Sequence, residues 1–441
     1  MLRVRPSEVT MFDAPLEIVV CGLKAGQNVT VAMFVTHDGN QYQSAAHYTA
    51  DKNGQVDLTS MTSEGGTYLG VHPMGLFWSL HQSPSQRAGL RLLPRDVSQA
   101  IIYTLSVYDD HTKSISIDDP CLARCQLHRH FMHPDVSRHE VCVGRVRGGL
   151  FVPKSHTTGP RPAPACIDLF GTAGGLVQHR AALLASHGFI VLALAYFGYK
   201  DTPAADDVNM EYFQEAIDYL RTRPDVHAPD GVGIIGVSMG GVISLLSGIH
   251  LKGIKSVVWI NGDHMMDNFF GIKYKGKHFP TPEFGDLDLL TKLFTDSQNG
   301  GVLWYRKYRD TIPVDPNVEF PIEQAPPNVQ FLLLASRDDQ NVTAVPAARS
   351  LYRRAQKAGR TNVRLEEFDG AGHLLEPPYI PHARETWHKI IDRRMNWGGE
   401  PYGHAASQER MWRILKFFLA ETLGQPLPMR EFVGEGTTAK L

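Results

Sequence analysis

The stretch GIIGVSMGGVISLL, Gly233–Leu246, passes from an apolar strand-like run through a turn of small residues into an apolar helix-like run, with Ser238 at the corner. Gly236-Val237-Ser238-Met239-Gly240 fits the pattern G-x-S-x-G, which holds a serine on a sharp strand-to-helix turn. Side chains two positions before and after such a serine would strike neighbouring backbone, and glycine removes both contacts. The turn lifts the serine Oγ above a sheet and aims the Met239 N–H, at the helix start, toward the same centre. A bare pentapeptide is common; the strand and helix around this one favour a nucleophile over a structural turn serine.

Working outward, the chain after Arg145 alternates apolar runs with helical stretches. GLFVP, ACIDLF, FIVLALAY, GVGIIGV, IKSVVWIN, VQFLLLAS and VRLEEF are separated by segments such as LVQHRAALLASHG and MEYFQEAIDYLRTRP. Nearly continuous apolar strands spaced by helices describe a mostly parallel sheet covered on both faces. Before that point the pattern differs. LEIVVCGL, NVTVAMFVTHD, YQSAAHYTAD, GQVDLTS and AIIYTLSVYDD are short, β-branched or aromatic, and divided by turn residues without helices. They predict an all-β, immunoglobulin-like sandwich over residues 1–140, followed by an α/β domain over 141–441. Between residues 263 and 327 the alternation lapses into mixed, aromatic, Gly/Pro-punctuated sequence, which reads either as a lid or pocket wall or as a surface excursion with small helices of its own.

A serine hydroxyl needs a base, and the base needs an orienting acid. In this fold class the chain order is serine, acid, histidine. VQFLLLAS is followed by Arg337-Asp338-Asp339, and VRLEEFD by Gly370-Ala371-Gly372-His373. His373 is the expected base, since His250 and His264 precede the acid and His382 and His388 follow a proline-rich stretch. Asp339 is preferred as the acid by its spacing from the end of the strand, with Asp338 the alternative or a turn cap. The oxyanion would be held by the Met239 amide and by amides of Gly171-Thr172-Ala173-Gly174-Gly175, of which Thr172 and Ala173 are the candidates. A phosphate-binding reading of those glycines lacks both a full G-x-G-x-x-G and a Walker lysine.

Composition sets the outer limits. The 441 residues carry a formal net charge of −2, so no bulk charge points to nucleic acid. No apolar run reaches the roughly 20 residues needed to span a bilayer, and the opening MLRVRPSEVTMFDAP lacks the apolar core of a signal peptide. Five scattered cysteines suit a reducing compartment, and Cys121 and Cys125 lack the second ligand pair of a zinc site, so no metal is expected. The closing Ala439-Lys440-Leu441 is close to the S-K-L address read by the peroxisomal import receptor.

Taken together, LEIVVCGLKAGQNVTVAMFVTHD, GGTYLGVHPMGLFWSL, RVRGGLFVP, IDLFGTAGGLVQHRAALLASHGF, GVSMGG, INGD, RDDQN, GAGHLLEPPY and WGGEP make the chain resemble, over nearly its whole length, the type I acyl-CoA thioesterases. That family also contains bile acid-CoA:amino acid N-acyltransferase. The resemblance implies a β-sandwich followed by an α/β-hydrolase domain, a triad of Ser238, Asp339 and His373, and an acyl-CoA substrate with no separate cofactor, CoA being part of the substrate. It also implies a distinction, because amino-acid-conjugating members carry cysteine where Ser238 stands. Ser336 replaces the glycine more usual before the acid. The expectation is hydrolysis of fatty acyl-CoA in the peroxisomal matrix, with the cytosol as the alternative location. The competing expectations are amino acid N-acyl transfer, oxyester hydrolysis on the same residues, and a silent acyl-CoA binder.

Overall fold

A computed structural model describes residues 1–83, 89–154 and 162–432. The chain divides into two compact units, the first comprising Met1–Pro134 with residues 378–382 and the stretch from Arg430, the second Asp135–Pro377 with Ala383–Met429. Two later segments therefore belong to the first unit, and no single cut describes the division.

The second unit is built on one eight-stranded sheet. Its strands are β1 (Val136–Val143), β2 (Val146–Pro153), β3 (Ala165–Leu169), β4 (Ile190–Ala195), β5 (Val232–Val237), β6 (Ile254–Ile260), β7 (Gln330–Ser336) and β8 (Val363–Phe368). They lie in the order β1-β2-β4-β3-β5-β6-β7-β8. The first two join antiparallel, and β3 to β8 run parallel. Every residue of β3, β4 and β5 is buried. Since successive side chains point to opposite faces, both faces are covered, which is why these strands read as unbroken apolar runs. Helices His179–Ser186, Met239–His250 and Pro401–Leu423 pack against β4, β5 and β6. The architecture is that of an α/β hydrolase.

One strand was not legible. β1 is exposed at five of its eight positions and buries only Val136 and Val141, so it carries no apolar run. Arg138, His139 and Glu140 in mid-strand suit a sheet edge, where charge discourages pairing with other chains.

The first unit holds a three-stranded sheet (Leu2–Arg5, Glu17–Cys21, Gln55–Asp57) and a seven-stranded one. At the centre of the larger sheet Asn28–His37 pairs antiparallel with Asn40–Thr49 on one side and Ile101–Asp109 on the other. Ala123–His130 extends that sheet although it is polar, because its burial alternates and Arg129 is fully buried with Nη2 donating to the carbonyls of Phe12 and Ala14 at 2.6 Å. A one-turn helix, Gly75–Trp78, interrupts the β pattern.

Residues 263–327 answer to both expectations for that segment. They form short helices of their own, Leu287–Asp296 and Tyr305–Arg309, and a small core in which Leu293, Leu303, Tyr308 and Ile312 pack with Met395 and Trp397. They also wall a cavity described below. Among the described residues no helix is long and apolar enough to cross a membrane, and no group of three or more His, Cys, Asp or Glu is placed to hold a metal ion. Ala439, Lys440 and Leu441 lie outside the described residues.

Candidate active site

Five loops leave the carboxyl ends of neighbouring parallel strands, the edge at which open α/β sheets present their ligands. They carry Thr172 after β3, Ser238 after β5, Asn261 after β6, Asp339 after β7 and His373 after β8.

Ser238 sits between β5 and its helix at φ 59° and ψ −125°, a left-handed conformation that a non-glycine residue holds only under constraint. The constraint is visible on both sides. The Ser238 N–H donates to the Ile260 carbonyl at 2.9 Å, and its own carbonyl accepts from Val242 N–H at 3.1 Å. A Cβ on Gly236 would lie 1.9 Å from the Gly240 carbonyl oxygen, and one on Gly240 would lie 2.5 Å from that of Phe170. The two glycines are thus required for the reason the motif suggested. Met239 opens the helix, so its N–H has no acceptor within the helix.

His373 and Asp339 are both sealed from solvent, at 1% and 0% exposure. His373 Nδ1 lies 2.8 Å from Asp339 Oδ2, while Asp339 Oδ1 accepts from the N–H groups of Asn341 and Val342 at 2.8 and 2.9 Å. Asp338 serves elsewhere: its carboxylate accepts from Gly399 N–H at 2.8 Å and from Gln340 Nε2 at 2.7 Å. With Asp339 accepting at Nδ1, the imidazole is in the tautomer that leaves Nε2 as the acceptor. The His373 ring stacks on Trp397, with centroids 5.4 Å apart, and the His373 backbone N–H donates to the Trp397 carbonyl at 2.7 Å.

Asn261, which sequence reasoning did not single out, ties the strand ends together. Its Nδ2 donates to Ser336 Oγ at 2.9 Å and to the His373 carbonyl at 2.8 Å, and its Oδ1 accepts from Ser336 N–H at 2.7 Å. Ser336, where the family more usually has glycine, therefore supplies an acceptor for the side chain that fixes the histidine loop. The signal available beforehand was INGD, in which a polar residue ends an otherwise apolar strand.

Thr172 and Ala173 occupy a turn directly after β3, and a Cβ on Gly171 would come within 3.3 Å of Ser238 Oγ. The loop does not run straight into a helix. Gly174 and Gly175 adopt φ of 67° and 78°, Gly175 N–H donates to the Phe197 carbonyl, and the helix begins only at His179. Of the competing histidines, His264 pairs with Asp263 and Glu319, the His250 ring lies tilted against Tyr274, and His382 belongs to the first unit. His388 is different, because it enters the site without touching Asp339: its Nε2 lies 3.0 Å from Thr172 Oγ1.

Ser238, Met239, Thr172, His388 and Trp397 border a cavity of about 270 Å³. Its far wall comes largely from residues 263–327, with Met265, Phe269, Phe270, Leu290 and Phe294 facing it. A cluster of three charged side chains interrupts this apolar lining, where Arg309 binds Asp263 and Asp267, the latter at 2.6 Å. Burial alone would push the Asp263 carboxyl up, but the Arg309 guanidinium and the bonds from His264 hold it down at about 2. Its folded value lies below the unfolded value near 4, so its stabilising contribution is complete above that pH and is lost as pH falls toward 2. The melting temperature should accordingly fall more steeply between about pH 4 and pH 2 in the wild type than in Asp263→Asn. Parallel curves would remove Asp263 as a source of acid sensitivity.

Comparison with known proteins places these features in a family. The model described as "Acyl-CoA thioester hydrolase/BAAT N-terminal region" matches residues 13–143, and "BAAT / Acyl-CoA thioester hydrolase C terminal" matches 208–425. The chain is 38% identical to bile acid-CoA:amino acid N-acyltransferase of Mus musculus over 423 residues, covering 94% of this chain and 96% of that one. It is 36% identical over 436 residues to acyl-coenzyme A thioesterase 1 of Homo sapiens, covering 96% and 97%. The human mitochondrial acyl-coenzyme A thioesterase 2 is also 36% identical over 436 residues, covering 96% of this chain and 84% of that one. Relatives named for transfer and for hydrolysis are nearly equally similar, so identity does not separate the two reactions.

Proposed function

The chain belongs to the acyl-CoA thioester hydrolase and bile acid-CoA:amino acid N-acyltransferase family, and from that premise we propose that it hydrolyses fatty acyl-CoA through an acyl-serine intermediate. The observation that carries this reading is a constrained Ser238 opening onto an apolar cavity, whose Trp397 wall stacks on a histidine already bonded to a buried carboxylate.

In the proposed cycle His373 Nε2 takes the Ser238 proton as Oγ attacks the thioester carbonyl. Asp339 holds the ring and stabilises the imidazolium. The developing oxyanion is met by the Met239 amide and by amides of the Thr172–Ala173 turn. CoA departs as thiol, needing less acid assistance than an amine would. His373 then activates water, and the free fatty acid is released. Serine favours water as the acceptor, since its oxyester is less reactive toward amines than a cysteine thioester.

Thiol release from acyl-CoAs of graded chain length, with and without glycine or taurine, tests the reading. Free acid formed at a rate indifferent to the amine supports it. Amide product would replace it with N-acyl transfer, and turnover confined to simple oxyesters would replace it with an esterase.

For the first unit our reading remains an immunoglobulin-like sandwich, supported by the antiparallel pairing around Asn28–His37. For location we propose the peroxisomal matrix, with the cytosol as the alternative, from Ala439-Lys440-Leu441. A fluorescent protein carrying the last dozen residues should become punctate; a diffuse signal would remove the matrix reading.

A further inference from the structure

Two polar side chains of the cavity wall are bonded to each other and take no part in the cycle above. His388 Nδ1 accepts from the Ile391 N–H at 3.2 Å, so the ring proton resides on Nε2. Nε2–H therefore donates to Thr172 Oγ1, 3.0 Å away. A threonine oxygen that accepts in this way keeps its own hydrogen for donation. Among the described residues Oγ1 has no other bonding partner, and Thr172 borders the same cavity as Ser238, one residue beyond the glycine that packs against the serine.

We propose that the Thr172 hydroxyl is a side-chain donor to the oxyanion, acting beside the backbone amides, and that His388 is the positioning residue that turns it toward the cavity. The proposal rests on Ser238 being the nucleophile. The arrangement is internally consistent only if His388 stays neutral, because a protonated ring would lose the bond from Ile391. Burial, and then the neighbouring His373, lower its pKa to about 4. The ring thus remains neutral when His373 takes up the serine proton. His388 is recruited from the hairpin Glu385–His388 and Arg393–Asn396, whose second strand supplies Met395 to the cavity wall.

The test separates donation to the oxyanion from simple support of the loop. Thr172→Val keeps the shape and removes the hydroxyl, and kcat should fall ~100-fold while KM changes by less than about threefold. Thr172→Ser, which retains the hydroxyl, should recover most of that loss. His388→Leu should lower kcat about 10-fold in the wild type but by less than about twofold on top of Thr172→Val, because the two act as one unit. A trifluoromethyl ketone that forms an oxyanion adduct with Ser238 should bind Thr172→Val ~100-fold more weakly. An alkyl-CoA thioether, with the same chain but no carbonyl, should bind both forms alike. A Thr172→Val enzyme within about threefold of wild-type kcat, a loss confined to KM, or equal weakening of ketone and thioether would each overturn the proposal. If Thr172→Val does not fold, the kcat ratio of His388→Gln to His388→Leu decides instead. Glutamine can still donate to Oγ1, so a ratio near one overturns the proposal. Should the wild type hydrolyse an aryl ester through Ser238 but no acyl-CoA, the substrate reading falls, and the same ratios measured on the ester still decide the role of Thr172.

Discussion

Ser238→Ala should lower the rate of thiol release from acyl-CoA by about 10⁴-fold or more, leaving only what substrate binding and the oxyanion donors supply. The expectation follows from the position of the residue. β5 and the following helix are joined by a tight turn that brings Ser238 to the cavity wall at the point where Gly171 packs against it. A variant retaining more than about a hundredth of wild-type kcat would show that the acyl group is not carried on Ser238. The backbone offers a second readout. A residue at φ 59° and ψ −125° stores strain of order 1–3 kcal/mol, and alanine meets the same strain as serine. Ser238→Ala should therefore melt close to the wild type. Ser238→Gly is equally without a nucleophile but free of the Cβ clash, and it should melt higher than Ser238→Ala. A lower melting temperature for the glycine variant would mean that the strain relieved is smaller than the roughly 0.5–1 kcal/mol that glycine loses in backbone entropy.

How much of this was legible in the sequence depends on the range over which each feature is specified. The central strands were legible because burial on both faces leaves an unbroken apolar run. The serine elbow was legible because its steric conflict is confined to five residues, with Gly236 and Gly240 answering it locally. Asp339 and His373 could be located because parallel strands deliver their loops to one edge in a fixed order. Long-range polar pairings leave no such trace. Asn261 meets Ser336 across 75 residues and Thr172 meets His388 across 216, and nothing in the local sequence of either residue points to its partner. The proline-rich stretch before His388 hides its place in the sequence, although the hairpin after that stretch returns it to the cavity. The cavity wall was anticipated only as a composition, since the places of Phe269 and Phe294 depend on how residues 263–327 fold over one another. β1 escaped because an exposed edge strand has little apolar pattern to read.

Asp339→Asn should reduce kcat by about 10³- to 10⁴-fold with little change in KM, although the substitution alters a single atom. Both carboxylate oxygens are committed as acceptors. Oδ1 takes the Asn341 and Val342 N–H groups, and Oδ2 takes His373 Nδ1–H. An asparagine has only one acceptor oxygen to place between them. If its NH₂ occupies the Oδ1 position, it opposes two backbone donors inside a fully buried site, which costs about 1–3 kcal/mol for each group left unpaired. If the NH₂ faces His373, the imidazole must present Nδ1 as the acceptor and carry its proton on Nε2. That tautomer cannot accept the Ser238 proton, which accounts for the expected loss. The second arrangement satisfies every local hydrogen bond, so the variant should fold and bind substrate normally while being unable to start the reaction. Wild-type-like binding of a non-hydrolysable alkyl-CoA thioether, together with the lost kcat, is the expected signature. Asp338→Asn is the matched control: its carboxylate accepts from Gly399 and Gln340 and does not meet the histidine, so kcat should change by less than about tenfold. Equal losses in the two variants would remove Asp339 as the orienting acid and leave it as a buried cap of its own loop.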